Sequence, residues 1–446
     1  MMRLIFNFYE DEKPEVYLEF SLTSSVSAYN RKIVHTKVTF SYFQDDPSLN
    51  HGDLAIMLNS AGITIGLSSF AAGTLLMPVL GKRVCLLVGC TVYIIASSLG
   101  YFLLDFSVEV LSYTYGGIFG CGLSLMVLPT IIMPVTWFPN HKGKVVGFTM
   151  SGMGLSSLVF APLQTYLINP NNISPVVFNG TNGSSSGSYF TSPEILSNLP
   201  NSLLYLTATY ASLIAVGFIL CTEKQSPSSK DGKQDLTTLK SSLGYLVKVG
   251  LRRLDFYMLF ITRYCLLTVA AGVAVQWKTL GLEVSSDDKL ISVVGGLTGV
   301  FNAISRLVSG TLMDKMSYRY LMVTECGLLS ICLGVMVPTA FASFNGYIVL
   351  TLLIYLLNNG FFITIPTQVV TLFGTEHSSI IIGALGLADS LALGSSALLN
   401  LLFKLESPFL PFYLGLAGFA FLATILSGLT RDTNISLTQS QPKQEH

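Results

Sequence analysis

Leu290-Ile-Ser-Val-Val-Gly-Gly-Leu-Thr-Gly-Val-Phe-Asn-Ala-Ile-Ser-Arg-Leu-Val-Ser-Gly-Thr-Leu-Met313 is a run of 24 residues carrying one charge, Arg306. As an α-helix it extends roughly 36 Å, enough to cross the roughly 30 Å hydrocarbon core of a bilayer. Arg306 lies about three-quarters of the way along. A guanidinium at that depth is costly unless it faces a polar cavity or a partner, so an intramembrane Arg reads as a functional residue by default.

Working outward, ten further apolar stretches of spanning length lie at about 54–77, 84–104, 109–136, 145–168, 203–221, 256–277, 320–341, 346–371, 380–403 and 409–430. None alternates as the strands of a membrane barrel would. Hydrophobic residues make up 51% of the chain and charged ones 11%, which excludes an ordinary soluble domain. The expectation is an all-α integral membrane bundle of about eleven helices. The 25 basic and 25 acidic residues cancel, so charge gives no reason for a nucleic-acid partner. The seven cysteines fall in or at the ends of spans, so they predict small buried side chains rather than disulfides or metal ligands.

Basic residues set the expected orientation. Fifteen lie in one set of loops (Lys82 and Arg83, Lys142 and Lys144, seven in 224–253, Lys315 and Arg319, Arg431 and Lys443), against three, Lys278, Lys289 and Lys404, in the alternate set. The first set and the C-terminus are expected in the cytosol. The opposite side then holds 169–202, with no Lys or Arg and with sequons at Asn172, Asn179 and Asn182, which predict a glycoprotein of a secretory-pathway membrane. The plasma membrane is the expected location, an organellar one the alternative.

The polar stretch 223–253 divides the spans five and six, giving expected units at 51–222 and 254–430 with a cytosolic linker between them and a cytosolic tail at 431–446. A repeat supports two related halves. Gly73-Thr-Leu-Leu-Met-Pro-Val-Leu-Gly81-Lys-Arg83 and Gly310-Thr-Leu-Met-Asp314-Lys315-Met-Ser-Tyr-Arg319 both place Gly-Thr-Leu at a helix end and a basic residue about nine positions later.

These motifs resemble those of the major facilitator superfamily, in particular the oxalate/formate antiporter-like monocarboxylate porters. Gly310 to Arg319 is similar to the superfamily's cytosolic loop motif. Trp137-Phe-Pro-Asn-His-Lys-Gly143 with Gly147, Gly152 and Gly154, then Trp277-Lys-Thr-Leu-Gly281, Phe301-Asn-Ala-Ile-Ser-Arg306, Pro366-Thr-Gln and Phe373-Gly374 resemble that subfamily's motifs over roughly 40–430. The resemblance implies twelve spans. Ser41-Tyr42 with Asp46-Pro-Ser-Leu49 is similar to the exit of the first, yet residues 1–50 form an atypical polar segment whose Glu19, Arg31, Lys32, His35 and Lys37 do not suit a lipid-facing helix. A truncated first half is the expectation.

Arg306 is the expected carboxylate contact, because a guanidinium offers a planar fork of donors to a planar acid; the alternative is pairing with another helix. Asn302, one turn earlier, either orients Arg306, bonds substrate or packs helices. Asp389 is expected to neutralise Arg306 when the site is empty or to take up a coupled proton; the alternatives are a structural ion pair or a carboxyl tucked against backbone donors. Some oxalate exchangers have a Lys in that span, and no Lys occurs here between Lys315 and Lys404, so one carboxylate is expected rather than two. Arg263, near a cytosolic end, is expected to snorkel to the headgroups. Asn358 and Asn359 are expected to divide between cavity and packing, and Asn59 and Gln368 are further cavity candidates.

The resemblance implies a conformational latch at Gly310, Asp314, Lys315 and Arg319, whose acid meets a base and a helix N-terminus. The first copy, Gly73, Gly81 and Arg83, lacks the acid. Gly116/Gly120, Gly295/Gly299 and Gly152/Gly154 predict close helix contact.

No Walker motif, nucleophile elbow or zinc motif occurs, so neither an enzyme nor a cofactor is expected. The expected function is a secondary transporter of a small monocarboxylate of the pyruvate, lactate or formate kind, working by alternating access in the lipid bilayer. A proton gradient or anion exchange would drive it; the sequence leaves both open and names no accessory subunit. The alternatives are a transporter of another small organic solute, such as an amino acid, or a non-transporting membrane protein acting as sensor or partner.

Overall fold

The computed structural model describes residues 55–103, 108–171, 173, 176–178, 187–189, 192–222, 241, 243–285, 288–402 and 409–431. α1 (Ala55–Ala71) continues through a π turn (Ala72–Leu76) into α2 (Met77–Leu80), followed by α3 (Lys82–Leu103), α4 (Val108–Trp137) and α5 (Lys142–Ile168). A short antiparallel hairpin, β1 (Val176–Phe178) on β2 (Gly187–Tyr189), precedes α6 (Pro193–Leu220). A π turn at Leu246–Gly250 leads to α7 (Leu254–Val284), α8 (Asp288–Met313), α9 (Tyr318–Ala342), α10 (Phe344–Asn358), α11 (Phe361–Leu402) and α12 (Phe409–Leu429).

Nine helical stretches among the described residues are long and apolar enough to cross a membrane. Eleven were expected from the sequence. One of the nine, Phe344–Ser396, runs 53 residues and takes in the expected span 346–371 and most of 380–403, while α5 is not among them. α11 is itself two helices joined at Gly374, where φ is 79° and ψ 162°. Gly81, between α2 and α3, has nearly the same conformation, φ 82° and ψ 161°. Both lie in the left-handed region that a Cβ disfavours.

The helices are apolar nearly all round because their outer faces meet no water. Ile219, Leu254 and Ile331 are among the large apolar side chains left exposed, at 70, 75 and 63%. Inside, serine and threonine hydroxyls are often satisfied within their own helix, as Thr130 donates to the Met126 carbonyl at 3.0 Å and Thr149 to that of Val145 at 2.9 Å. The cysteines carry no disulfide, and five of the seven are buried.

α3 packs on α4 and α9 on α12, within the first and second runs of helices. α11 also touches α4 and α5, but the two largest contacts between the runs are α1 with α11 and α5 with α8. Both are built from small residues. Gly73 and Gly383 meet with backbone against backbone, a Cβ on Gly383 falling 2.9 Å from the Gly73 Cα. Gly143 and Gly310 each leave no room for a Cβ against the other's carbonyl oxygen, and Gly154 lies against Ala303. Such close approach is the physical use of glycine at helix interfaces in a membrane. The expected role of Gly152/Gly154 is met at Gly154, and Gly120 of the Gly116/Gly120 pattern packs against the Ala61 carbonyl.

Candidate functional site

Arg306 projects from α8 toward α5 and the start of α11. It is 3% exposed, its Nη1 donates to the Met150 carbonyl at 2.7 Å, and its guanidinium carbon lies 5.1 Å from the centre of the Phe362 ring. Its Nε has no hydrogen-bond partner, and no carboxylate pairs with it among the described residues. The Ser305 hydroxyl and the Asn302 side-chain oxygen on the same helix are likewise without a partner. A guanidinium held by one carbonyl and one ring retains donors for a planar anion.

Phe362 belongs to the first turn of α11, just beyond a break. α10 ends at Asn358, and α11 begins at Phe361. Discontinuous helices within a membrane are tolerated where they line a cavity or are buried in protein. Asn359 spends its amide on the Tyr355 carbonyl at 2.8 Å, while the Asn358 side-chain oxygen is buried without a partner. Gly360 faces Ser309 of α8 and Glu325 of α9. Ser309 Oγ donates to Glu325 Oε1 at 2.5 Å. The sequence reading passes over Glu325, although an acid inside the apolar run 320–341 carries the same signal as Arg306.

Asp389 does not pair with Arg306. Both its oxygens accept from Arg263, Oδ1 from Nε at 2.6 Å and Oδ2 from Nη2 at 2.7 Å. The side chains are 8% and 11% exposed, so Arg263 does not snorkel to a headgroup but bridges α7 to α11. The bidentate fork is geometrically favoured, and it saturates the carboxylate's strongest directions. Gln368, expected near a cavity, instead donates to the Arg431 carbonyl at 3.2 Å, beyond the end of α12. Asn59 lies in α1, but its side chain is outside the described residues, as are Asn172, Asn179 and Asn182.

At one end of α8, Asp314 accepts from the Gly143 N–H at 2.7 Å and the Lys144 N–H at 2.9 Å. These donors open α5, where unpaired N–H groups and the helix dipole favour an anion. Burial pushes the Asp314 carboxyl above the usual carboxylate range, and the Lys144 and Gly143 N–H groups only partly hold it back. Lys315 is exposed and Arg319 donates to the Thr430 carbonyl at 3.1 Å, while the basic groups whose charge acts on Asp314 are His141, Lys142 and Lys144 at the start of α5. In the first copy Gly73 serves the α1–α11 contact, Gly81 the turn, and Arg83 lies over the Phe218 ring at 5.5 Å. Among the described residues no group of three His, Cys, Asp or Glu side chains is placed to hold a metal.

A profile of the Major Facilitator Superfamily matches residues 20–397. The chain belongs to this superfamily. It is a multi-pass membrane protein of a transporter family, and it spans 59% of the length of the first curated relative it matches. It is 24% identical over 325 residues to apicoplast pyruvate carrier 1 of Toxoplasma gondii, covering 65% of this chain and 59% of that carrier. Over 112 residues it is 30% identical to monocarboxylate transporter 13 of Bos taurus, covering 25% of each. Among solved structures, the proton:xylose symporter XylE bound to 6-bromo-6-deoxy-D-glucose superposes with a TM-score of 0.67 at 14% identity, over 94% of this chain and 96% of that one. The fucose symporter FucP in its outward conformation gives 0.64 at 14% identity, over 92% and 98%. These two likenesses establish the fold.

Proposed function

We propose that this transporter moves a small monocarboxylate of the pyruvate, lactate or formate class by alternating access, with Arg306 as the substrate's counter-charge. The observation that carries this reading is the state of Arg306: buried in a membrane span, with a free Nε and no acid paired to it among the described residues. An unpaired intramembrane cation is retained at a cost, and an anionic substrate supplies the missing partner. Asn302, Ser305 and Asn358 offer polar atoms for the rest of a small acid. The names of the Toxoplasma and bovine relatives agree with a carboxylate substrate.

In this reading residues 51–222 and 254–430 are two halves that rock about the site, joined by 223–253. Asp314 with the α5 N-terminus latches the end that carries Lys142 and Lys315, and that end faces the cytosol. The loop 169–202 lies on the opposite side, glycosylated, and the plasma membrane is the proposed location. Asp389 serves as a structural partner to Arg263 rather than as a substrate contact.

The test is uptake of labelled pyruvate, lactate and formate into liposomes containing the purified chain, with an amino acid as the competing class. Saturable uptake of a monocarboxylate supports the assignment. Transport of the amino acid alone overturns it.

A further inference from the structure

We propose that Glu325 is a proton-carrying carboxyl, loaded and unloaded in step with the carboxylate on Arg306. This rests on the monocarboxylate reading and adds the coupling ion and its binding residue.

The helices and their turns enclose several acids whose oxygens are already engaged. Asp389 has both oxygens fixed by Arg263, and Asp314 has both on the α5 N-terminus. Asp255, in the first turn of α7, accepts from the Arg431 N–H at 3.3 Å. Glu325 differs. Its hydrogen-bond partner is the Ser309 hydroxyl, and no cation pairs with it among the described residues. A hydroxyl suits either charge state, since it donates to a carboxylate and accepts from a carboxylic acid. A guanidinium or a row of N–H groups suits only the anion.

The second oxygen has room because residue 360 is glycine: a Cβ there would stand 2.7 Å from Oε2. Glu325 is partly buried, on the inward side of α9 that also carries buried Met322, Cys326 and Leu329. The ionisable side chains that interact with it are Tyr318 and Cys326 of α9 itself. Of the helices packed around it, α7 brings Cys265 against Cys326, and α8 brings Arg306 one turn from Ser309. Nothing nearby holds the group permanently in one form.

Its position links it to the substrate contact. Ser309 lies one turn from Arg306 on α8, and Gly360 lies two residues before Phe362, the ring beneath Arg306. Both groups therefore bear on the α10–α11 break, a helix discontinuity able to shift as a unit. One carboxylate on Arg306 and one proton on Glu325 enter together, cross with no net charge, and leave together on the other side. Intramembrane acids in transporters commonly serve such proton steps.

The test uses the full 446-residue chain in liposomes, with labelled pyruvate and an internal pH dye, for wild type, Glu325→Gln and Ser309→Ala. Expected is loss of pH-gradient-driven accumulation in Glu325→Gln by roughly tenfold or more, with pyruvate counterflow retained. Unchanged accumulation in Glu325→Gln overturns the proposal while the transport reading stands. A second readout needs no substrate: infrared difference spectra between acid and alkaline pH, in which a carboxylic C=O band of the wild type is expected to vanish in Glu325→Gln. If wild type moves no monocarboxylate, the transport reading fails and this band still decides Glu325; its persistence in the variant overturns the proton site. If Glu325→Gln does not insert, Ser309→Ala decides. It keeps the acid, so it is expected to shift the pH midpoint of the band, and an unshifted midpoint overturns the proposal.

Discussion

Arg263 and Asp389 close a two-bond fork across α7 and α11, with Nε to Oδ1 at 2.6 Å and Nη2 to Oδ2 at 2.7 Å. The pair sits where both side chains are about nine-tenths covered. Removing one partner of a buried ion pair typically costs about 3–5 kcal/mol, because the other charge is stranded, whereas replacing both by apolar groups is often neutral. Arg263→Met and Asp389→Leu singly are therefore expected to lower thermal stability in detergent sharply. The double variant is expected to recover most of the loss. Strictly additive losses in that cycle would show that the two side chains do not act as a pair.

The Asp314 contact is expected to behave differently. Charge-assisted bonds contribute about 1.5–3 kcal/mol, but the cost of drying the carboxylate offsets much of that here. Asp314→Asn removes the charge and leaves the Arg306 region untouched. The expected outcome is a several-fold change in turnover with substrate affinity nearly constant, measured by exchange kinetics beside equilibrium binding. A large fall in affinity from a well-folded variant would argue against a latch.

Gly310 supplies a steric counterpart. A Cβ at this position would overlap the Gly143 carbonyl and stand 2.9 Å from the Gly147 Cα. Neither neighbour is a flexible side-chain end, so α5 and α8 must separate. Gly310→Ala is expected to raise the labelling rate of a cysteine introduced at Lys144, by a membrane-impermeant thiol reagent applied from the latch side. Unchanged labelling with normal stability would mean that the α5–α8 contact tolerates the methyl group.

How much of this was legible in the sequence depends on range. Span length is a local pattern, and it led to a helical membrane bundle; Asp314 near a helix N-terminus came from the resemblance of Gly310 to Arg319 to the superfamily's loop motif. Arg306 was legible because one charge among 24 residues cannot be ignored. Its partners were not. Asp389 lies 126 residues from Arg263, and no local pattern says which of two cations it meets. Gln368 was misread because its bond to Arg431 depends on how α11 passes the end of α12. Glu325 was readable by the rule that singled out Arg306; its Ser309 partner and the gap at Gly360 required the fold.

Because Asp389 is engaged elsewhere, removing Arg306 strands no acid among the described residues, and this sharpens the last prediction. Arg306 now holds the Met150 carbonyl and faces the Phe362 ring, contacts too few to offset burial of a guanidinium. Arg306→Met keeps a long side chain without the charge, so its thermal stability is expected to equal or exceed that of wild type. Carboxylate binding is expected to fall by about one to two decades, from loss of about 1.5–3 kcal/mol of charge-assisted bonding. Arg306→Lys keeps the charge but not the planar fork, so it should bind weakly at best. Binding by ligand-induced thermal shift and by direct titration, on variants of verified fold, measures both effects together. Wild-type affinity in a folded Arg306→Met protein would remove Arg306 from the site, whereas a stable protein that no longer binds is the signature of a residue kept for its substrate.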